Sequence, residues 1–244
     1  MRTLIISDVH SNLAALEAVL RQASRDGPID AVWNLGDTVG YGPQPSQCIG
    51  RLEGLAAVSV VGNHDLAAAG TLDTSDFNPD AARAAIWTRE RLSPGERARL
   101  AALPQISRQE NFTLVHGTLR EPVWEYLYSQ EAAQAHLARQ ETPFGLVGHT
   151  HVPTLVAEEG GSPRLYRLAD GDIVLLELGR RLILNPGGVG QPRDGDPRAA
   201  YAVLDAEAMT ITFRRVEYDI AATQRIMAEA GLPPWLIQRL SLGR

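Results

Sequence analysis

Histidine and acidic residues recur in short clusters along the first part of this chain. Five of its six histidines lie in these clusters, and only His136 lies outside them. Imidazole nitrogens combined with carboxylate and amide oxygens form a ligand set that suits Mn, Fe, Zn, Ni or Co better than Ca or Mg. The aspartates, histidines and asparagine of these clusters supply seven candidate metal ligands.

Seven ligands are too many for one ion, but they fit two ions that share a bridging carboxylate. Two ions about 3.5–4 Å apart can hold the attacking and the leaving oxygen of an in-line displacement. A hydroxide that bridges them, formed from water near neutral pH, is then the nucleophile. This arrangement suits phosphate esters, because the charge of the metals meets negative charge on the phosphoryl oxygens. No ligand is a cysteine, which disfavours a structural zinc site.

The clusters follow segments that we predict to be strands. Apolar runs predict strands over 2–7, 30–35 and 56–61, and a helix over 12–25 for which Asn12 is the N-cap. Strands alternating with helices indicate a partly parallel sheet with right-handed crossovers. The carboxyl ends of such strands meet at one edge, so we expect all the clusters to form a single site.

The remaining segments predict a fold that combines α/β and β-rich halves. The pattern predicts a helix over 78–103, strands over 105–109 and 112–116, a helix over 130–140, a strand over 144–148, antiparallel strands over 152–216 and two short helices over 219–240 divided by Pro233 and Pro234. No repeat or linker interrupts the chain. We therefore predict one domain over 1–244, in which two stacked sheets flanked by helices share one core.

Composition narrows the class of protein. The net charge is −6 and the pI is about 5.5, which disfavours bulk binding of nucleic acid. Cys48 is the single cysteine, so no intrachain disulfide requires an oxidising compartment. No apolar run has the length of a signal peptide or a membrane span. These observations predict a cytoplasmic protein without a membrane segment.

Taken together, the clusters resemble the signature of the calcineurin-like metallophosphoesterase superfamily. The segments that carry the resemblance are Asp8-Val9-His10, Gly36-Asp37, Gly62-Asn63-His64-Asp65, His116-Gly117 and Gly148-His149-Thr150-His151. The segment 185–190 resembles the Asn-Pro-Gly-Ser loop of small prokaryotic phosphodiesterases in that superfamily, with Gly188 in place of the serine. The resemblance implies a four-layer αββα sandwich of two mixed β-sheets flanked by helices.

The resemblance also implies a role for each residue. One metal would be held by Asp8, His10, Asp37 and His151, and the second by Asp37, Asn63, His116 and His149, with Asp37 bridging. His64 would not be a ligand and would instead donate a proton to the leaving group as a general acid, a task that suits histidine near neutral pH. The alternative for His64 is an ordinary histidine at a strand end.

One segment departs from the pattern of the superfamily's protein Ser/Thr phosphatases. These carry Gly-Asp-x-x-Asp-Arg-Gly after the second strand, where this chain has Gly40 for the second Asp and Tyr41 for the Arg. The Asp would orient the catalytic histidine and the Arg would bind phosphate. Their loss disfavours a protein phosphatase and leaves Asp65 as the candidate partner of His64.

Weaker candidates for substrate binding surround these motifs. Arg120 and Trp124, with Tyr126 and Tyr128, could form a wall on which a base or an aromatic leaving group stacks, or they could simply be part of a packed loop. Arg193 lies in a segment rich in Gly and Pro and could bind a phosphate. Its alternative is a surface turn in which Arg193 pairs with Asp194 or Asp196.

The leading hypothesis is a dinuclear hydrolase of phosphate esters, acting on phosphodiesters or small phosphorylated metabolites. A phosphomonoesterase, a dinucleoside polyphosphate hydrolase and a nuclease remain open within the same chemistry, and a protein phosphatase is a weaker version of it. A non-catalytic scaffold is the alternative from another class. A scaffold would be expected to lose ligands or the general acid, and here every one is present.

Overall fold

Two six-stranded sheets form the centre of the protein, and a computed structural model describes them together with the rest of residues 1–244. In spatial order, the first sheet contains β3 (Val58–Ser59), β2 (Ala31–Asn34), β1 (Arg2–Ile6), β11 (Ala199–Asp205), β12 (Thr210–Val216) and β9 (Ile173–Leu175). The second contains β4 (Ile106–Gln109), β5 (Phe112–Val115), β6 (Phe144–Leu146), β10 (Leu182–Asn185), β7 (Thr154–Glu159) and β8 (Ser162–Arg167).

Eight α-helices and one short 3₁₀ helix accompany the sheets. They are α1 (Leu13–Arg25), α2 (Pro45–Gly54), α3 (Asn63–Ala69), α4 (Pro79–Arg91), α5 (Pro94–Ala101), α6 (Gln130–Leu137), α7 (Ile220–Glu229), α8 (Pro234–Gln238) and the 3₁₀ helix η1 (Arg239–Leu242). None of them combines the length and apolar character that a bilayer span requires.

Both sheets are mixed. Strand β1 pairs parallel with β2 and antiparallel with β11, so the two ends of the chain meet in the first sheet. In the second sheet β10 pairs parallel with β6 and antiparallel with β7. The prediction of wholly antiparallel strands over 152–216 is therefore wrong for β10, because a period-two pattern does not indicate the direction of a neighbouring strand.

The core lies in three apolar layers that alternate with the sheets and helices. Ile5 of β1 packs between the two sheets with Trp33 and Phe144. Leu4 and Ile6, on the opposite face of β1, pack in the layer that contains the apolar residues of α1. A third layer joins α6 to the outer face of the second sheet. Strands buried on both faces thus produce the predicted four-layer αββα sandwich, which is confirmed.

Several helix bounds differ from the prediction for local reasons. Asn12 caps α1 as predicted, because its side chain accepts a hydrogen bond from the amide of Ala15 at 3.2 Å. The single helix predicted over 78–103 is wrong: Ser93 caps a separate helix, α5, whose first residue is Pro94. Helix α3 begins directly at Asn63 and was not predicted.

The C-terminal helices pack beside the loops that follow β2. Met227, Leu236 and Leu240 form an apolar cluster with Tyr41. The indole N–H of Trp87 donates a hydrogen bond to the carbonyl of Ala230 at 3.0 Å, which fixes α7 against α4. The chain after α7 therefore lies next to the motif that contains Asp37 and Tyr41.

Candidate active site

The loops that follow five strands meet at one edge of the sandwich and bring the predicted ligands together. Six of them form two groups that could each hold a metal ion. Asn63, the seventh, begins α3 beside His64, whose backbone N–H donates to Oδ1 of Asp37 at 2.9 Å. All seven side chains are buried: Asp8, His10, Asp37, Asn63, His116, His149 and His151.

The first group contains Asp8, His10 and His151. Oδ1 of Asp8 lies 3.2 Å from Nε2 of His151 and 3.9 Å from Nε2 of His10. The two Nε2 atoms are 3.2 Å apart. Three donor atoms therefore face one another within the space that one cation would occupy.

The second group contains Asp37, His116 and His149. Nε2 of His116 lies 3.0 Å from Nδ1 of His149 and 3.3 Å from Oδ2 of Asp37. The same Oδ2 atom lies 3.7 Å from Nε2 of His10, in the first group. Asp37 is therefore the carboxylate that lies between the two groups.

The outer nitrogen of each histidine faces a backbone carbonyl. Nδ1 pairs with the carbonyl of Val39 in His10 (3.1 Å), of Leu35 in His116 (2.8 Å) and of Gln191 in His151 (2.5 Å), and Nε2 of His149 pairs with that of Trp124 (3.2 Å). A carbonyl only accepts, so each ring carries a proton there and turns its other nitrogen inward. Such outer partners are typical of metal-binding histidines.

Three buried oxygens in this pocket have no hydrogen-bond partner in the protein. They are Oδ1 of Asp8, Oδ2 of Asp37 and Oδ1 of Asn63. A buried polar atom without a partner is costly, and the facing imidazole lone pairs of His10 and His151 add to that cost. Divalent cations would satisfy all of these atoms, so the residues present fit a pair of metal ions.

The backbone at the ligands is held in a conformation that non-glycine residues rarely adopt. Five ligands have a positive φ: Asp8 (55°), His10 (48°), Asp37 (53°), His149 (65°) and His151 (59°). This left-handed conformation costs about 1–2 kcal/mol per residue. Such strain persists where the surrounding fold imposes it, and it concentrates at functional sites.

The carboxylates of the pocket favour positive charge among them. Burial raises the pKa of Asp8 to about 7. Burial also opposes a charge on His116, but the neighbouring Asp37 and Asp8 raise the pKa of that ring to about 9. The two carboxylates thus stabilise positive charge at His116, whereas burial lowers the pKa of His10, His149 and His151.

Comparison with known proteins places this site in a family. Residues 1–209 match the model of the calcineurin-like phosphoesterase superfamily domain. The chain belongs to that superfamily. The crystal structure of a metallophosphoesterase from Sphaerobacter thermophilus is 46% identical with a TM-score of 0.90, and the match covers 100% of this chain and 99% of that one. This calcineurin-like phosphoesterase is accordingly a phosphoric ester hydrolase, and its two His/Asp groups support divalent metal ions as cofactors.

Two curated relatives differ in how much of the chain they match. An uncharacterized protein of Methanocaldococcus jannaschii is 37% identical, over 98% of this chain and 97% of its own length. A symmetrical bis(5'-nucleosyl)-tetraphosphatase of Pectobacterium carotovorum is 41% identical over 68 residues, which cover 27% of this chain and 24% of that protein. The second match is confined to a part of each chain.

His64 lies in the first turn of α3, against the first metal-ligand group. Its ring centre is 5.0 Å from that of His10 and 4.3 Å from that of Tyr41. Nδ1 has no hydrogen-bond partner. Burial lowers the pKa of His64 to about 4, so the free protein keeps this ring neutral at pH 7.

The loop around His64 accounts for the departure from the phosphatase motif. Gly40 stands where the phosphatases have the Asp. A Cβ on Gly40 would lie 2.7 Å from Nδ1 of His64, so the glycine leaves room for the histidine ring. Asp65 does not replace the phosphatase Asp as the partner of His64, because its carboxylate oxygens accept hydrogen bonds from the amides of Val39 (3.0 Å) and Gly62 (3.1 Å). The predicted contact between Asp65 and His64 is not formed, and Asp65 holds the two loops together instead.

Aromatic rings line the approach to the ligand groups. The ring of Phe77 lies 4.9 Å from that of His64 and 5.2 Å from that of Trp124. Tyr126 stacks on His149 at 3.8 Å, and Tyr128 stacks in turn on Tyr126 at 5.3 Å. Tyr126 and Tyr128 are 40% and 61% exposed, so this is an open wall and not a packed loop.

Arg120 is placed differently from the other predicted substrate residues. Its Nε donates to Glu125 at 3.0 Å and its Nη1 to Glu131 at 3.0 Å. Two carboxylates thus occupy the guanidinium that would have to bind a phosphate. Sequence reasoning did not find these partners, because Glu131 belongs to α6 and comes close only through folding.

Arg193 does not form the predicted alternative ion pair with Asp194 or Asp196. Those carboxylates pair with Arg215 and Arg198. Arg193 instead donates to Oε1 of Gln191, at 3.2 Å from Nε and 2.8 Å from Nη2. Burial first, and then the charge of Arg193, lower the pKa of His151 well below its usual range. Cζ of Arg193 lies 5.8 Å from the ring centre of Tyr41, which packs against His10, so the guanidinium lies beside the first ligand group.

Sequence reasoning gave no role to Asn185, which positions the last ligand loop. Its Nδ2 donates to the carbonyl of Gly148 at 2.6 Å and to Oγ1 of Thr150 at 3.0 Å. These bonds hold the turn that carries His149 and His151. The signal was present in the sequence, since Asn185 opens the segment that resembles the Asn-Pro-Gly-Ser loop.

Proposed function

We propose that this phosphoesterase holds two divalent ions side by side and hydrolyses phosphodiesters or small phosphorylated metabolites. The observation that carries the proposal is the position of Asp37, whose Oδ2 lies 3.3 Å from His116 and 3.7 Å from His10 in the other group. Asp8, His10, Asp37 and His151 would hold one ion, and Asp37, Asn63, His116 and His149 the other.

The protein residues have separate tasks in this reaction. When bound, the metals would supply positive charge for the phosphoryl oxygens and an activated water. The left-handed turns and the outer carbonyls hold the ligands in place before substrate arrives. His64 lies beside the ligands with Nδ1 unpartnered, and it would protonate the leaving oxygen. An anionic substrate next to the ring favours its protonated form.

The surroundings of His64 favour small substrates over phosphoproteins. Gly40 and Tyr41 stand where the protein phosphatases of the superfamily have an Asp and an Arg. The ring of Tyr41 packs 4.6 Å from that of His10 and 4.3 Å from that of His64. An aromatic ring thus takes the place of a phosphate-binding side chain, which argues against protein phosphatase activity.

A dinucleoside polyphosphate hydrolase is the second candidate. The exposed stack of Tyr126 and Tyr128 and the ring of Trp124 offer flat surfaces for a nucleobase. The partial match to symmetrical bis(5'-nucleosyl)-tetraphosphatases points in the same direction.

A substrate panel on protein loaded with Mn or Zn tests the proposal. It should include a nitrophenyl monoester, a bis-nitrophenyl diester, cyclic nucleotides, a dinucleoside tetraphosphate and a phosphopeptide. We expect hydrolysis of the small esters and little or none of the phosphopeptide. A protein that binds two metals and hydrolyses none of these compounds would refute the proposal and favour a scaffold.

The metal content of Asp37→Asn tests the shared carboxylate. Removing one charge and one ligand from both groups should leave less than one metal per chain after dialysis, where the wild type keeps two. Asp26→Asn is the matched control, because Asp26 is exposed and caps the C-terminal end of α1, the end away from the ligand loop that precedes this helix. Equal metal content in Asp37→Asn and the control would show that Asp37 does not bridge.

A further inference from the structure

The carbonyl that pairs with His149 belongs to a long connection between elements. Nε2 of His149 faces the carbonyl of Trp124 at 3.2 Å, and Trp124 lies in the 117–128 loop between β5 and α6. The corresponding carbonyl for His116 is that of Leu35, which directly follows β2 and whose amide donates to a carbonyl of β1 at 2.9 Å. The sheet thus fixes the partner of His116, whereas the partner of His149 depends on how the loop is held.

Backbone hydrogen bonds close this loop on itself. The amide of Gly117 donates to the carbonyl of Pro122 at 2.6 Å. The carbonyl of Glu121 accepts from the amides of Trp124 at 3.3 Å and Glu125 at 3.2 Å. Each of these bonds lies within the loop, so they shape the turn but do not fix its position relative to the sheet.

An ion pair holds the two halves of the loop together. Nε of Arg120 donates to both carboxylate oxygens of Glu125, at 3.0 and 3.2 Å, and Nη2 donates to Oε1. The hydroxyl of Thr118 donates to Oε2 of the same carboxylate. The Glu125 side chain is 16% exposed, so solvent screens this pair less than a fully exposed one. Because Glu125 directly follows Trp124, the pair holds the backbone that presents the carbonyl to His149.

Two further contacts attach the loop to α6. Nη1 of Arg120 donates to Glu131 at 3.0 Å, although Glu131 is 81% exposed and should contribute little to stability. The amide of Leu119 donates to Nδ1 of the buried His136 at 3.2 Å. Helix α6 packs on the outer face of the second sheet, so these contacts place the loop relative to the sheet.

The end of the loop contacts His149 a second time. The ring of Tyr126 stacks on that imidazole, with the ring centres 3.8 Å and the planes 15° apart. The hydroxyl of Tyr128 donates to the carbonyl of Thr150 at 3.4 Å. A displaced loop would therefore take both the outer carbonyl and the stacked ring away from one ligand. The histidines of the first group pair with carbonyls of other segments, so they should not respond to the loop.

We propose that the ion pair between Arg120 and Glu125 positions His149 and so sets the affinity of the second group for its metal ion. A partner at the outer nitrogen of a metal-binding histidine fixes the orientation of its ring, and loss of such a partner costs about 10–100-fold in metal affinity. Arg120 is then a positioning residue and not the phosphate-binding residue that the sequence suggested. This inference rests on the proposed function, since it requires that each group holds an ion.

Calorimetric titration of the metal-free protein with Mn²⁺ tests the inference without any substrate. We expect two binding steps in the wild type, and His149→Ala identifies the step of the second group because it removes a ligand from that group. Glu125→Gln should weaken the same step about 10–100-fold and leave the other step unchanged. Weakening of the other step instead, of both steps equally or of neither would overturn the inference.

Arg120→Gln examines the pair from its other side, so the test does not depend on one variant. It should weaken the same binding step as Glu125→Gln. The double variant should bind Mn²⁺ no more weakly than either single variant, because all three lack the same interaction. Additive losses of affinity would contradict the action of the two side chains as a pair.

Arg51→Gln is the matched control for removal of an ion pair. Nε of Arg51 lies 2.7 Å from Oε1 of Glu17, and the two side chains are 39% and 31% exposed. This pair joins α2 to α1 on the outer face of the first sheet, away from the 117–128 loop. The control should keep both binding steps of the wild type, and loss of the second step there would overturn the specific role of the loop.

Kinetics with excess metal separates positioning from phosphate binding. Saturating Mn²⁺ fills both groups even in Arg120→Gln, so the KM for the preferred nitrophenyl ester should match that of the wild type. The Mn²⁺ concentration that gives half of the full activity should instead rise about 10–100-fold. A raised KM with unchanged metal affinity would assign Arg120 to phosphate binding and overturn the inference. A wild type that takes up fewer than two ions would contradict the proposed function instead.

Discussion

At the scale of single residues, His64 differs from its neighbours because it contacts the ligand groups without belonging to either. We predict that His64→Ala keeps both metals but loses about 10²–10⁴-fold in kcat. The loss should be greatest for alkyl esters, because their leaving oxygens need a proton more than nitrophenolate does. Metal analysis and kcat for paired alkyl and nitrophenyl esters check this, and an equal loss for both would exclude proton donation.

His136 is the one histidine that the site does not use, and it ties stability to pH. Its Nδ1 accepts from the amide of Leu119 at 3.2 Å, and burial lowers the pKa of the ring to about 4. The unfolded chain takes up a proton near pH 6.5 and the folded chain only near pH 4. The neutral ring of His136 therefore makes its full contribution to the free energy of unfolding above about pH 6.5. That contribution is lost as the pH is lowered from 6.5 to about 4.

The expected loss from His136 is about 3 kcal/mol between pH 6.5 and pH 4. It should be measured as the free energy of unfolding in urea, on metal-free protein, for the wild type and His136→Gln. The variant should be less sensitive to acid over this range, since the difference between the two proteins isolates the ring from the other histidines. Parallel pH profiles would show that the ring is not held neutral.

At the scale of elements, the loops after the strands depend on glycines that leave space for the ligands. A Cβ on Gly62 would collide with the backbone N and Oδ1 of Asp37. We predict that Gly62→Ala displaces Asp37 and lowers the metal content below one ion per chain. Gly50→Ala in α2 is the matched control, because a Cβ there meets nothing within 4 Å. Retention of two metals by Gly62→Ala would show that the loop can accommodate the added methyl group without displacing Asp37.

The sequence was informative about these elements where the pattern and the local chemistry agreed. The strands that carry Asp8, Asp37 and His116 were predicted from apolar runs, and the ligands follow their carboxyl ends as expected. Helix α3 was missed because its first residues, Asn63 to Asp65, are a functional motif that masks the helical pattern. The parallel pairing of β10 with β6 was not predicted, because the alternation of apolar and polar residues within a strand does not show which strand lies beside it or in which direction.

The parts of the site that escaped prediction depend on contacts between distant segments. Arg120 meets Glu131, and Leu240 joins Tyr41 in one apolar cluster, only after the chain has folded. The partners of Asp65 were missed for a similar reason, since the amide of Val39 belongs to another loop. Residue types and spacing predict ligands well, but they do not show which charges neutralise one another.

At the scale of the whole molecule, the single domain predicted for residues 1–244 remains a prediction, and the pairing of distant strands suggests how to test it. Strand β1 pairs in register with β11, Leu4 opposite Val203, so the first sheet needs both ends of the chain. Residues from both sheets share one apolar layer, in which Trp33 and Phe112 lie 5.3 Å apart. If one sheet unfolded, the inner face of the other would lose its apolar cover.

We therefore predict a single unfolding transition for the metal-free protein. Far-UV circular dichroism follows all elements. Tryptophan fluorescence reports on Trp33 between the sheets, on Trp124 beside the ligand groups, and on Trp87 and Trp235 near the C-terminal helices. The urea curves from the two signals should superimpose, because each sheet loses its packing when the other is lost. Replacing Trp87, Trp124 and Trp235 with Phe leaves Trp33 to report on the sheets alone. A separate earlier transition that disappears with this change would show that the C-terminal helices or the 117–128 loop unfold on their own.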